Sequence, residues 1–317
     1  MMSVTIFRLI ELGLLPSISA PVFGPNGLLG EKYGNPPYPP SVLGIQLKHL
    51  LDHTGGWGRP PDLVFSIPEL SQLPDEQFID ECLKRFEPSG TPDTFWMYSN
   101  FNYRLAQVVV ETATHLPWER VVEELVFKPT GIDKSYDVET GRWDERRADA
   151  VQFYANNVPL LDAYSWPLHT HFQPAGGWLL NGVDLIRYLV RLDGLNQKYP
   201  DILAESSLRE MLTPSEFSLG HVFVSGVEPG VMGYANGWAI NQAGSLVADP
   251  SIDVWKGYCH DGALAGEAWF GRGEDGIQMV GMISRRIEAN FDVISPTYAI
   301  NNNLENGWPN HDLFDNL

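Results

Sequence analysis

Hydrophobic spacing changes period once along this chain, and that switch restricts the fold class. Up to about residue 213, apolar residues recur at the i, i+3, i+4 spacing of helices. After Gly230 they fall into short runs separated by glycine-bearing turns, the pattern of strands. Helices followed by strands make an α+β layout, with a helical region packed on an antiparallel sheet. No repeat, low-complexity tract or linker divides residues 1–317, so one domain is expected. Residues 45–230 are its mainly helical region, and 231–317 hold the sheet and a terminal helix near Tyr298–Leu304.

Local signals place the elements. Ile6, Leu9 and Ile10 share a helical stripe that Gly13 ends, and no capping residue precedes it, so residues 1–15 read as the back half of a helix. The Pro- and Gly-rich residues 16–46 wrap a surface without forming elements. Ile45–Leu51 is a short helix ending at His53-Thr54-Gly55-Gly56, and 57–74 is a loop. Asp75 to about Phe86 is a helix with Phe78, Ile79, Cys82 and Leu83 on one face. Asn100 caps a helix whose face holds Leu105, Val108, Val109 and Thr112. Trp118–Phe127 is helical, stopped by Pro129 and Gly131, and 132–176 is irregular. Asn181 or Asp184 caps a helix through Val190, and 201–213 holds another. Tyr234–Asn241, Asp253–His260, Ala265–Gly271 and Ile277–Ser284 read as strands.

Composition excludes some partners. Forty acidic residues against 21 basic ones give a formal charge of −19, which repels phosphate backbones and anionic lipid, so no nucleic-acid partner is expected. No apolar run reaches the roughly 18 residues of a membrane span. Cys82 and Cys259 are too few for a disulfide framework and read as free buried thiols. No glycosylation sequon or leader peptide is visible, so the compartment is cytoplasmic if Met1 is the native start.

Two segments carry chemistry. Tyr98-Ser99-Asn100 lies where a loop becomes a helix, a junction that presents side chains on a rigid support. A phenol beside a cation can relay a proton, and a carboxamide can orient a ligand amide. His260-Asp261-Gly262 ends a strand, and Gly262 removes the side chain where a ligand would lie along the edge. The Ala263 N–H that follows can point at a developing oxyanion. Taken singly, the first tripeptide also reads as a helix edge and the second as a strand-terminal turn. His53 reads as a cap or core residue rather than a catalyst. His169-x-His171 has metal-ligand spacing without a third ligand in pattern, so no metal is expected.

In order, these segments resemble the serine β-lactamase and penicillin-binding protein superfamily, in the branch of class C β-lactamases and family VIII esterases. Leu50–Gly56 is similar to that family's L-L-x-H-T-S-G, with Gly55 in place of serine. Tyr98-Ser99-Asn100 matches its Y-x-N, and Phe127–Ile132 is similar to its F-x-P-L-G-M turn. Gly176-Gly177-Trp178 with Asp184 is similar to G-G-L…D-L, and Tyr234–Trp238 to G-Y-G-L-G-W. His260–Gly266 resembles H-x-G-A-L-P-G. The resemblance implies a β-lactamase/transpeptidase-like fold and two-step acyl transfer. It implies Tyr98 as general base and acid, Asn100 and Ser99 on the substrate, His260 and Gly262 along the strand edge, and Ala263 as half of an oxyanion hole. It implies a small acyl ester, amide or peptide as ligand, and no cofactor.

One family motif is absent. Its S-x-x-K segment supplies the attacking serine, with the lysine one turn on. No serine here has a lysine three residues later, and no G-x-S-x-G elbow replaces it. By the family pattern the lysine falls just before Met1, and the family's N-terminal strands precede that. The chain is therefore expected to keep the pocket without the nucleophile and to be inactive as it stands. It reads either as a shortened acyl hydrolase or as a pseudoenzyme that binds or scaffolds. Missing opening strands would leave a sheet edge open to partner pairing and oligomers.

Overall fold

In the computed structural model, residues 1–57, 67–132, 154–155, 158–159, 174–194, 198–218, 232–241, 257–263, 267–272 and 278–283 are described. The first helix, α1 (Met2–Glu11), buries Met2 through Phe7 and Leu9. Burial on every side makes it a core helix rather than a surface stripe. Gly13, at φ +71°, reverses the chain after it. Short helices α2 (Pro40–Leu43), α3 (Leu47–Leu51) and α4 (Pro68–Ser71) follow. Two of them, α2 and α4, fall in segments expected to be loop. Proline opens each, because a first-turn residue needs no N–H.

Helix α5 (Asp75–Arg85) buries Phe78, Ile79 and Cys82 as expected. Helix α6 (Asn100–Thr114) buries Phe101, Leu105, Val108 and Val109, but Thr112 faces solvent. Its N-cap is Ser99, not Asn100, which is the first helical residue. Helix α7 (Trp118–Val122) runs into a π turn at Glu123–Phe127 and then a short α turn at Lys128–Thr130. Pro129 therefore does not end the helix. The wider turn puts it at the start of a new hydrogen-bond register, where no N–H is needed. Gly131, at φ +79°, makes the stop. Helix α8 (Gly182–Leu189) is capped by Asn181, whose side chain accepts from the Asp184 N–H. Helix α9 (Glu205–Met211) completes the helical region.

Two short strands, β1 (Tyr154–Ala155) and β2 (Val158–Pro159), pair within the region expected to be irregular. The main sheet is an antiparallel meander of β3 (Met232–Ala235), β4 (Trp238–Asn241), β5 (Tyr258–Ala263), β6 (Glu267–Arg272) and β7 (Gln278–Ile283). The expected strand Tyr234–Asn241 is instead part of a hairpin. Asn236 at φ +44° and Gly237 at φ +92° turn the chain between β3 and β4. Positive φ at both turn positions matches the right-handed strand twist. Helix α8 packs on the sheet. Tyr188 stacks on Trp238 at 6.3 Å, and the Tyr258 hydroxyl donates to the Leu192 carbonyl at 3.0 Å. Cys82 and Cys259 are both free and buried, and no described helix is long and apolar enough to cross a membrane.

Register decides what β5 exposes. β4 pairs with β5 only at Ile240–Tyr258 and Ala239–Cys259. β6 pairs with it all the way from Tyr258–Arg272 to Ala263–Glu267. From His260 onward, β5 thus has a strand neighbour on one side only among the described residues. On the other side, the described chain leaves β5 at the β3–β4 turn.

Candidate active site

The turn after α3 shapes one wall. The Asp52 carboxylate accepts the Thr54 N–H at 3.0 Å and its hydroxyl at 2.6 Å, closing a tight turn. Burial pushes the Asp52 carboxyl up to about 6. His53 then takes φ +63°, a left-handed conformation that histidine tolerates better than most residues. Its carbonyl accepts the Met97 N–H at 3.0 Å, and the Thr54 and Gly56 carbonyls accept the Asp93 and Ser89 N–H groups. The segment 89–97 is thereby laced to this turn.

The His53 ring is fully buried. Its Nδ1 accepts the Ser99 backbone N–H at 3.3 Å and faces the Asn102 amide nitrogen at 3.3 Å. Both neighbours are donors, so Nδ1 holds a lone pair and Nε2 carries the proton. Nε2 itself has no hydrogen-bond partner among the described residues. Burial lowers the His53 pKa to about 3, so the ring is neutral near neutral pH.

Around this ring stands an aromatic cluster. Ring centroids lie 4.2 Å away for Tyr98, 4.9 Å for Tyr234, 5.2 Å for Tyr103 and 6.3 Å for Trp96. Tyr98 meets Tyr234 edge-on at 6.2 Å and is 37% exposed, so it is the accessible member of the group. The Tyr103 hydroxyl donates to the Leu51 carbonyl at 3.0 Å, and Ser3 of α1 lies within its reach. Burial raises the phenols of Tyr103 and Tyr234 above their ordinary range.

His260 joins from the sheet. Its Nδ1 lies against the Asp261 carbonyl, which only accepts, so Nδ1 carries the proton. Nε2 then accepts from the Tyr234 hydroxyl at 3.2 Å. Burial lowers the His260 pKa, opposed by the Asp261 carboxylate. Next along β5, Gly262 is exposed, and a Cβ there would meet nothing within 4 Å. Ala263, the last residue of β5, pairs with Glu267.

Of the residues singled out in the sequence, Tyr98 and His260 meet on one cluster, joined through Tyr234 and His53. Gly262 and Ala263 extend it along the open side of β5. Asn100 is half-buried at the head of α6. Ser99 has no accessible surface and gives its N–H to His53, so it anchors the loop instead of lining it as expected. The histidines of His169-x-His171 lie outside the described residues, and those described include no metal-binding group of three or more His, Cys, Asp or Glu side chains. Tyr103, Tyr234 and Trp96 are unexpected members of the cluster, and His53, expected as a cap or core residue, is the buried ring at its centre. Tyr103 falls one helical turn past Asn100, which was the one usable signal for it.

Comparison with known proteins identifies the family and the fold. Residues 2–300 match the Beta-lactamase family. The chain belongs to that family. Penicillin-binding protein 4* of Bacillus subtilis (strain 168) is 29% identical over 155 residues, 48% of this chain and 31% of that protein. The match thus spans under a third of that relative's length. Among solved structures, the penicillin binding protein from Bacillus halodurans is similar with a TM-score of 0.67 at 17% identity, covering 94% of this chain and 83% of that one. The D-amino acid amidase from Ochrobactrum anthropi SV3, complexed with L-phenylalanine amide, has a TM-score of 0.65 at 20% identity, covering 95% and 81%. These likenesses establish the β-lactamase/transpeptidase-like α+β fold of this family member.

Proposed function

We propose that this family member carries the acyl-ligand pocket of a β-lactamase-related, esterase-like serine hydrolase but not its nucleophile. As the chain stands, it binds a small acyl ester, amide or peptide without turning it over. Tyr98 faces the ligand where the family's general base and acid acts, and Asn100 orients the ligand amide. His260 and Gly262 border the ligand along the open side of β5, and the Ala263 N–H supplies one oxyanion donor. A partner segment bearing serine and lysine would be needed to form an acyl-enzyme. The observation that carries this reading is the meeting of Tyr98 and His260 on one aromatic cluster, beside a Gly262 whose missing side chain leaves open space.

The test uses the 317-residue chain with a chromogenic short-chain ester, a β-lactam and phenylalanine amide. Turnover at the uncatalysed rate, no mass adduct on any serine, and saturable binding of the amide by calorimetry are expected. A stable acyl adduct would overturn the absence of a nucleophile. Failure of all three probes to bind would overturn the pocket.

A further inference from the structure

We infer that His53 is the positioning residue for Tyr98, holding that tyrosine by its backbone on both sides and by its ring face. The role assigned to Tyr98 rests on the reading above; the hold on it rests on geometry alone. The His53 carbonyl accepts the N–H of Met97, and the His53 imidazole accepts the N–H of Ser99. Tyr98 is the residue between those two bonds. Its ring lies 4.2 Å from the imidazole, tilted by 43°. A single residue thus fixes where the Tyr98 backbone sits and which way its phenol leaves the loop.

Two further observations require this residue type. At φ +63° the position disfavours most side chains, while His, Asn and Asp accept it. The Asn102 amide, also 3.3 Å from Nδ1, keeps that nitrogen an acceptor by leaving no place for a proton there. The ring is fully buried, so water does not compete for Nδ1. Its neutral state near pH 7 maintains the lone pair. A protonated imidazole would offer Ser99 a donor against a donor, and the loop would lose its upper pin. Tyr234, whose ring lies 4.9 Å from the imidazole, links the cluster to His260 through its hydroxyl.

Nitrogen-15 spectra of the histidines in the unmodified chain test this first. His53 is expected to show an unprotonated Nδ1 and a protonated Nε2 throughout pH 5–8; a proton on Nδ1 would overturn the proposal. Two variants then separate the contributions. His53→Asn keeps an acceptor near the Nδ1 position and tolerates the backbone, so Ser99 amide exchange should stay within about threefold of the parent, while the Tyr98 ring signals shift as the neighbouring ring is lost. His53→Phe keeps a ring but no acceptor, so Ser99 exchange should rise about tenfold or more relative to Met97. Equal Ser99 protection in both variants and the parent would overturn the proposal even if stability falls. Phenylalanine amide binding is measured alongside. A parent chain that binds none of it defeats the pocket reading, while the tautomer and the Ser99 exchange still decide the role of His53.

Discussion

Gly237 sits at φ +92°, and the place a Cβ would occupy is 2.6 Å from the Tyr103 hydroxyl. Gly237→Ala meets both backbone strain and that hydroxyl, so a loss of about 2–3 kcal/mol by urea denaturation is expected. Gly262 is the opposite case, because its Cβ would meet open space at ordinary φ. Gly262→Val should therefore leave stability within about 0.5 kcal/mol while removing phenylalanine amide binding. The buried histidines set a pH dependence. Burial lowers His49 to about 4 and His53 to about 3, whereas the unfolded side chains titrate near 6.5. Below pH 6.5 the unfolded chain binds more protons than the folded one, so stability falls as pH drops from 6.5 toward 3. Asp52, raised to about 6, acts the other way and favours the folded state at the acid end of that window. His260, also lowered by burial, acts with these histidines, and Glu119 and Asp201, also raised by burial, act with Asp52. The displacements of His49 and His53 are the larger ones, so the urea midpoint should still decline between pH 6.5 and 4. A midpoint that stays flat or rises would contradict the burial assigned to these rings.

At the level of elements, α6 shows how much a period reveals and where it stops. Leu105, Val108 and Val109 lie at helical spacing and are buried, but Thr112, next in the pattern, is exposed. Val110 and Ala113 on either side of it still pack on the core, and no spacing within α6 announces that Thr112 leaves that face. Leu105→Ala should cost about 2–5 kcal/mol and Thr112→Ala less than about 0.5, read from denaturant midpoints at constant slope. The β3–β4 hairpin was equally readable in principle, since Asn236-Gly237 is a strong turn signal. The apolar residues on both sides merge into one continuous run, which hides the turn. Pro129 departs from its usual role for a different reason. A proline stops a helix only if its N–H is required, and the π turn before it removes that requirement.

Across the whole molecule, the sheet has two outer strands among the described residues, β3 and β7. β7 carries Met282, which is 45% exposed. An outer strand with an exposed apolar side chain favours pairing with a second copy, and light scattering is expected to show a species larger than one chain; a clean monomer would count against this. The residues of the site come together only at this scale. His53 follows a short helix, Tyr98 and Tyr103 flank the start of α6, and Tyr234 and His260 belong to two strands of the sheet. The chain by itself determined the α+β class, the order of the family segments, the free thiols and the absence of S-x-x-K, because periodicity and short motifs are local properties. Only the tertiary structure decided that His53 faces Tyr98, that Ser99 is sealed inside, and that β4 stops pairing with β5 at the hairpin. Those are distances between segments far apart in sequence, set by packing and strand register, and no local pattern encodes them.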